Sequence, residues 1–320
     1  MSANFDPLPA TDVTSTPLII SPPMQRVPLG RAELLGQTLS APRVTPRILP
    51  APRILVFDSG LGGLTVFREV ARARPDARLL YAADDAMFPY GAIEEPRLVA
   101  RVVALMEQFI AAHRPDLIVV ACNTASTLVL PGLRQRFTVP FVGTVPAIKP
   151  ACAASETRRV SVLGTEATVK REYTQALIRQ FASDCRVTLV GSPRLAHYAE
   201  RELAGDPVDD EALRAEISPC FVDDGARTDT VVLACTHYPL LTERLAQVAP
   251  WPVRFLDPAP AIARRVVELV GPRSGGPASA PAPALFTSGR AAPDALAAAL
   301  KAFGLASGTA ESAPESAPAR

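Results

Sequence analysis

Lysine is scarce in this chain: Lys149, Lys170 and Lys301 are the only three in 320 residues. Lys149 lies between the prolines of V-P-A-I-K-P, and Lys170 opens a charged helical stretch. Neither is prepared to form the imine on which pyridoxal chemistry depends. Long apolar runs are missing too, and none approaches the ~18 residues of a membrane span. There is no basic leader followed by an apolar core and no basic stripe, so neither secretion nor a membrane or nucleic-acid partner is expected. A formal net charge of +1 points the same way. Close C-x-x-C pairs and H-E-x-x-H are absent, which leaves no recognisable metal site. The five cysteines are an odd number without framework spacing, as expected of reduced thiols in a cytoplasm.

What is present is alternation, bounded by biased stretches. Residues 1–52 are rich in Pro, Thr, Ser and Ala and read as a disordered extension, with an over-long start or a regulatory arm as the other readings. Residues 271–284, G-P-R-S-G-G-P-A-S-A-P-A-P-A, read as a flexible loop, and 305–320 as a disordered tail. Between them, strand patterns fall at 53–57, 78–82, 117–121, 139–143, 159–163, 186–190, 230–234, 253–256 and 284–287. Helical stretches separate most of these. The clearest carries Leu98, Val102, Leu105 and Phe109 on one face, with Pro96 in its first turn. Strand–helix alternation predicts an α/β fold with parallel sheets and right-handed crossovers. V-P-A-I-K-P at 145–150 reads as a linker. It divides a first lobe (53–146, completed by 256–304) from a second (147–255).

Two segments repeat one another. D-L-I-V-V-A-C-N-T-A-S at 116–126 and D-T-V-V-L-A-C-T-H-Y-P at 229–239 each run a buried strand into an alanine, a cysteine and a hydroxyl. Cys122 and Cys235 are 113 residues apart, and the weaker pair I-L-V-F-D-S-G and V-S-V-L-G-T-E is offset by 106 between Ile54 and Val160. Similar offsets predict two pseudo-symmetric lobes, each bringing one thiol to a strand end, with the active site between them at the edge where open α/β sheets hold ligands. Asn123, Thr124 and Ser126 are expected to cap the helix after Cys122. A helix N-terminus at that corner is expected to lower a thiol pKa. His237, two residues past Cys235, is placed to share its proton. Cys152, Cys185 and Cys220 read as small core residues. Nothing in the spacing supports a disulfide redox pair.

The glycine-rich stretch F-D-S-G-L-G-G-L-T at 57–65 admits a nucleotide reading, with Asp84 as a ribose-binding acid. That reading is weak, because Thr65 occupies the third glycine position of G-x-G-x-x-G. Asp58 would also repel a pyrophosphate. A carboxylate and hydroxyl at a strand end suit a small zwitterion better: the ammonium pairs with Asp58, and the carboxylate takes N–H and O–H donors. D-D-A-M-F-P-Y-G at 84–91 is either a plain turn or a backbone clamp on a ligand, and spacing does not choose.

Taken in series, F-D-S-G-L-G-G-L-T-V, D-x-x-x-x-P-Y-G, A-C-N-T-A-S, V-P-A-I-K-P, L-G-T-x-A-T and A-C-T-H-Y-P resemble the glutamate racemases of the cofactor-independent aspartate/glutamate racemase superfamily. The resemblance covers roughly residues 53–290. It implies that Cys122 and Cys235 are the catalytic acid and base, assisted by Asp58 and His237, with Glu200 of P-R-L-A-H-Y-A-E as a further carboxylate. It implies substrate contacts from Asp58, Ser59, Tyr90, Gly91, Asn123, Thr124, Thr236 and His237. No cofactor and no metal are implied, the substrate is the small molecule glutamate, and a homodimer is compatible with the pattern. The implied role is supply of D-glutamate for peptidoglycan, and so for cell-wall biogenesis and cell shape, in the cytoplasm. The extension, the 271–284 insertion and the tail depart from the common pattern and leave regulation and oligomerisation open.

The chemistry accounts for two thiols. Inverting a stereocentre removes a proton from one face and returns one to the other, so two acid/base groups must flank the α-carbon. A free thiol of pKa ~8.5 is only a few per cent ionised at neutral pH and needs tuning. Two alternatives remain: a sibling racemase acting on aspartate or a hydantoin, and a non-catalytic amino-acid sensor, which would have no use for both cysteines.

Overall fold

The computed structural model describes residues 18–20, 49–278 and 280–306. Most of the extension expected to be disordered, and the tail beyond Ala306, lie outside the described residues. Within the extension, Leu18–Ile20 forms strand β1.

Nine further strands follow where the apolar runs place them. The first lobe begins with β2 (Arg53–Asp58), α1 (Leu64–Ala73), β3 (Arg78–Ala83), α2 (Glu95–His113), β4 (Leu117–Val120), α3 (Asn123–Arg136) and β5 (Phe141–Gly143). The second contains α4 (Ile148–Ala154), β6 (Arg159–Gly164), α5 (Glu166–Lys170), α6 (Glu172–Phe181), β7 (Arg186–Gly191), α7 (Leu195–Leu203), α8 (Asp210–Ile217), β8 (Thr230–Ala234), α9 (Thr242–Val248) and β9 (Arg254–Leu256). The chain then adds α10 (Ala259–Val270), β10 (Ala284–Phe286) and α11 (Asp294–Ala302). β5 starts later than the apolar pattern does, because Pro140 has no N–H for the ladder; its carbonyl accepts from Ile118 N–H instead.

One sheet has the order β10-β3-β2-β4-β5 and the other β1-β7-β6-β8-β9. All pairings are parallel except that of β1 with β7. The duplication read from the sequence is visible rung by rung. Ile54 faces Leu117 across β2–β4, and Val160 faces Thr230 across β6–β8. Those partners are offset by the same 106 and 113 residues as the sequence echoes. The fold is thus α/β with two related lobes, as the alternation predicts.

Helices cover both faces of each sheet, which is why the central strands are apolar throughout rather than alternating. In the first lobe α1 and α10 bury Leu64, Val66, Phe67, Val70, Ile262 and Val266 on one face. On the other, α2 and α3 bury Leu98, Val102, Leu105, Met106 and Leu133. Each such side chain contributes about 1.5–3 kcal/mol when fully removed from water. Cys220 and Cys235 join one core of the second lobe, Cys152 and Cys185 the other.

Two expected connectors carry more order than their composition suggests. The second half of V-P-A-I-K-P opens α4, with Pro150 in the first turn, where a missing N–H is harmless. The 271–284 loop is irregular but anchored. Arg74 donates to the carbonyls of Val270 and Gly271 and pairs with Asp76, while Ser274 N–H donates to Asp76 and Ala278 N–H to the Pro75 carbonyl. Gly271 ends α10 at φ +84°, a backbone state that favours glycine. Among the described residues no helix is long and apolar enough to cross a membrane.

Candidate active site

The C-terminal ends of β2, β4 and β8 converge with Glu200 on α7 and the loop after β3. Every residue assigned to the site from the sequence is buried except Glu200 and Gly91, which are half-buried.

Asp58 closes β2. Its Oδ2 accepts from Gly63 N–H at 2.6 Å and from the Thr236 hydroxyl at 3.5 Å. Its Oδ1 is buried and has no protein partner. Burial raises the carboxyl pKa, against the nearby His237 charge and the N–H groups of Gly63 and Ser59. The glycines after it serve close packing rather than phosphate binding. A Cβ on Gly60 would stand 2.1 Å from Glu200 Oε1, one on Gly62 2.4 Å from His237 Nδ1, and one on Gly63 2.7 Å from Asp58 Cβ. The loop N–H groups of Leu61 and Gly63 are taken by Glu200 and Asp58. Donors already engaged by carboxylates leave no cradle for a pyrophosphate.

Cys122 is the N-cap residue of α3. Two expectations about this corner are corrected. Asn123, Thr124 and Ser126 do not cap the helix, which has no side-chain cap. The Ser126 hydroxyl donates to the Val120 carbonyl and accepts from Thr144 N–H. Thr124 bonds to Thr165 and Thr168 at 3.1 and 3.3 Å. Both amide atoms of Asn123 are buried without a partner. The thiol pKa is also not lowered. Burial pushes it up to about 12, helped by the charges of Asp58 and Cys235 and opposed by the Ala125 N–H and the Ser59 hydroxyl. Desolvation of a thiolate outweighs one helix turn of dipole.

Cys235 follows β8. Its Sγ lies 3.7 Å from His237 Nδ1, and His237 Nε2 lies 3.0 Å from Glu200 Oε1. Burial opposes the imidazolium, but the hydrogen bonds to Cys235 and Glu200 and the charges of Cys235 and Asp58 outweigh it, raising the His237 pKa well above its usual value. Phe88 packs on the ring, with centroids 5.2 Å apart.

Tyr90 is buried, and its hydroxyl is spent on Asp84, which Arg101 grips through two nitrogens and Thr287 through its hydroxyl. The β3 loop therefore presents backbone at Tyr90-Gly91, and Gly91 borders Thr165, 3.5 Å from where a Cβ would lie. Asp84 is a structural hub, which removes the ribose role. Sequence reasoning gave no role to Thr165 and Thr168, although both belong to L-G-T-x-A-T. With Thr124 they form a hydroxyl cluster across the lobes. It also gave no role to Phe88, although that residue lies within the D-D-A-M-F-P-Y-G stretch. Among the described residues no group of three or more His, Cys, Asp or Glu could hold a metal ion.

Two lobes that each present one buried thiol define a class. The family model for Asp/Glu/Hydantoin racemase matches residues 59–266, and the chain belongs to that family, as an enzyme of the isomerase class. Closer likenesses are to glutamate racemases. That of Brucella canis is 56% identical over 231 residues, covering 72% of this chain and 83% of the relative. That of Mesorhizobium japonicum is 54% identical over 240 residues, covering 74% and 92%. The crystal structure of Escherichia coli glutamate racemase in complex with L-glutamate and the activator UDP-MurNAc-Ala superposes with a TM-score of 0.75 at 40% identity. It spans 82% of this chain and 99% of that one.

Proposed function

We propose that this chain interconverts L- and D-glutamate without a cofactor by proton transfer between Cys122 and Cys235. One observation supports the reading: each pseudo-symmetric lobe buries a thiol at a strand end with its own charged neighbour, Asp58 at Cys122 and His237 at Cys235, and the Thr236 hydroxyl reaches Asp58 across the two strand ends. One thiolate removes the α-proton, and the opposite thiol returns a proton to the other face. The product leaves with the two thiols in exchanged protonation states.

The unpartnered polar atoms supply the binding logic. A substrate ammonium satisfies Asp58 Oδ1, and its charge offsets the Asp58 repulsion that adds to burial in raising the Cys122 pKa. Asn123 and Thr236 offer donors to the α-carboxylate, where carbanion charge develops. The Thr124–Thr165–Thr168 hydroxyls and the backbone at Tyr90-Gly91 suit the distal carboxylate. The glutamate racemases among the relatives favour glutamate over aspartate as the substrate. D-glutamate made this way would serve peptidoglycan synthesis in the cytoplasm.

The test is polarimetry of L-glutamate incubated with the purified chain, without pyridoxal phosphate. Decay of rotation to zero is the expected result. Decay with aspartate alone would assign the sibling activity, and folded protein inert towards both would leave an amino-acid sensor.

A further inference from the structure

Behind the Tyr90-Gly91 backbone lies a carboxylate with both oxygens doubly engaged. Asp84 follows β3 and is fully buried. Its Oδ2 accepts from the Tyr90 hydroxyl at 2.7 Å and from Arg101 Nε at 3.0 Å. Its Oδ1 accepts from Arg101 Nη2 at 2.6 Å and from the Thr287 hydroxyl, also at 2.6 Å. These four bonds fill the acceptor sites of a carboxylate, and Arg101 balances the buried charge. The donors come from three places: the loop itself, α2 and the residue after β10. The Asp84 N–H in turn donates to the Asp58 carbonyl at 2.9 Å, which registers the loop against the strand end assigned to the substrate ammonium.

Tyr90 opens a short 3₁₀ turn, Tyr90–Ala92. The bonds of that turn are donated by Ala92 and Ile93 to the carbonyls of Pro89 and Tyr90, so the Tyr90 and Gly91 N–H groups stand outside its pairing. Gly91 borders Thr165, which brings the turn to the hydroxyl cluster of Thr124, Thr165 and Thr168. The Tyr90 ring is buried against Phe57, with centroids 6.5 Å apart. Burial, with the charge of Asp84 and the hydrogen bond to it, raises the Tyr90 pKa well above its usual value. The hydroxyl is therefore a fixed donor to Asp84 and supplies no proton to the chemistry.

We propose that Asp84 is a positioning residue for substrate length: through the Tyr90 hydroxyl it holds the Tyr90-Gly91 backbone at a set distance from Asp58, and so decides how far from the ammonium a distal carboxylate is bound. The inference rests on the racemase reading above and assigns Asp84 no contact with substrate. A loop ordered only by its ligand would charge the lost conformational entropy to binding. Here the order exists beforehand, fixed from behind by Arg101 and Thr287. Glutamate engages both ends of the arrangement, whereas aspartate, one methylene shorter, engages the ammonium end alone.

The test compares wild type with Tyr90→Phe, Thr287→Val and Thr287→Ser, each checked for folding by circular dichroism. Tyr90→Phe keeps the buried ring and removes the bond between the turn and Asp84. It should raise KM for L-glutamate, and Kd for racemic glutamate by isothermal titration calorimetry, about 10-fold, the effect of one hydrogen bond to a charged group. Its kcat should change much less, as expected when binding alone is lost. Racemic ligand keeps turnover from altering the composition during the titration. Thr287→Val frees one side of the carboxylate and should shift both constants the same way. Thr287→Ser keeps the hydroxyl and should match wild type. Racemic aspartate should keep its Kd in every variant, a readout that general loosening of the fold would move. An unchanged KM in Tyr90→Phe, an equal weakening of aspartate, or Thr287→Ser as poor as Thr287→Val would overturn the positioning role. A wild-type protein that binds glutamate but racemises nothing would overturn the function instead, and the two Kd series would still decide the role of Asp84.

Discussion

A Cβ on Gly62 would lie 2.4 Å from His237 Nδ1 and 2.6 Å from the His237 backbone nitrogen. The contact joins the glycine loop of one lobe to the histidine of the other across the site. Gly62→Ala must therefore push the lobes apart or turn the imidazole away from Cys235. A loss of at least about 10²-fold in kcat is expected, with a near-normal circular dichroism spectrum, because Gly62 does not have the positive φ that only glycine accepts readily. Steady-state kinetics beside thermal unfolding checks it.

Cys122→Ser and Cys235→Ser should each collapse turnover by several orders of magnitude while substrate still binds. The equilibrium constant between enantiomers is one, so each variant must lose the same factor of kcat/KM in both directions. Near wild-type racemisation by either variant, measured by polarimetry, would show that cysteine to be structural.

The raised His237 pKa has a definite sign for activity. The imidazolium beside Cys235 favours its thiolate and persists above the pH at which a free histidine loses its proton. The alkaline limb of kcat/KM should therefore lie above pH ~6.5. Glu200→Gln removes a charge that stabilises the imidazolium and should move that limb to lower pH. A pH–rate profile from 5 to 10, run on both proteins, decides.

Cys122 also links stability to alkali. Its thiol is held protonated up to about 12 against an ordinary thiol value of 9.0, so between those values the unfolded chain has released a proton that the native state keeps. Stability falls as pH rises through this window, at a limiting slope of about 1.4 kcal/mol per unit for this one group. Urea unfolding of Cys122→Ser above pH 9 should show a shallower decline than wild type.

Away from the site, Arg74 and Asp76 form an ion pair with both side chains buried, at 2.9 Å. The hydrogen bond from Arg74 holds the Asp76 pKa down at about 2 in spite of burial. This stabilisation is present above the ordinary carboxylate range and is lost as pH falls towards 2. Arg74→Met strands the buried carboxylate and releases the carbonyls that anchor the 271–284 loop. It should cost about 3–5 kcal/mol near neutrality, read by urea unfolding.

Much of this protein was legible in one dimension. Strand–helix alternation, the A-C-x-T echo and the 113-residue offset specify two related lobes with a thiol on each, since apolar period and strand-end chemistry are local properties of the chain. The pairing of Ile54 with Leu117 and of Val160 with Thr230 only restates those offsets in space. Local reasoning failed where a side chain chose between a nearby and a distant partner. Asn123, Thr124 and Ser126 have the right residue types for a helix cap, yet Thr124 bonds across the lobes and Asn123 is left unpartnered. The Cys122 pKa went the same way: a helix N-terminus is readable from sequence, whereas the desolvation that overrides it depends on everything packed around the sulfur. The roles of Gly60 and Gly62, the joining of Glu200 to Leu61 and the hydroxyl cluster of Thr124, Thr165 and Thr168 were decided only by tertiary structure. Each joins residues from different lobes, and no spacing along one chain encodes a distance across a cleft.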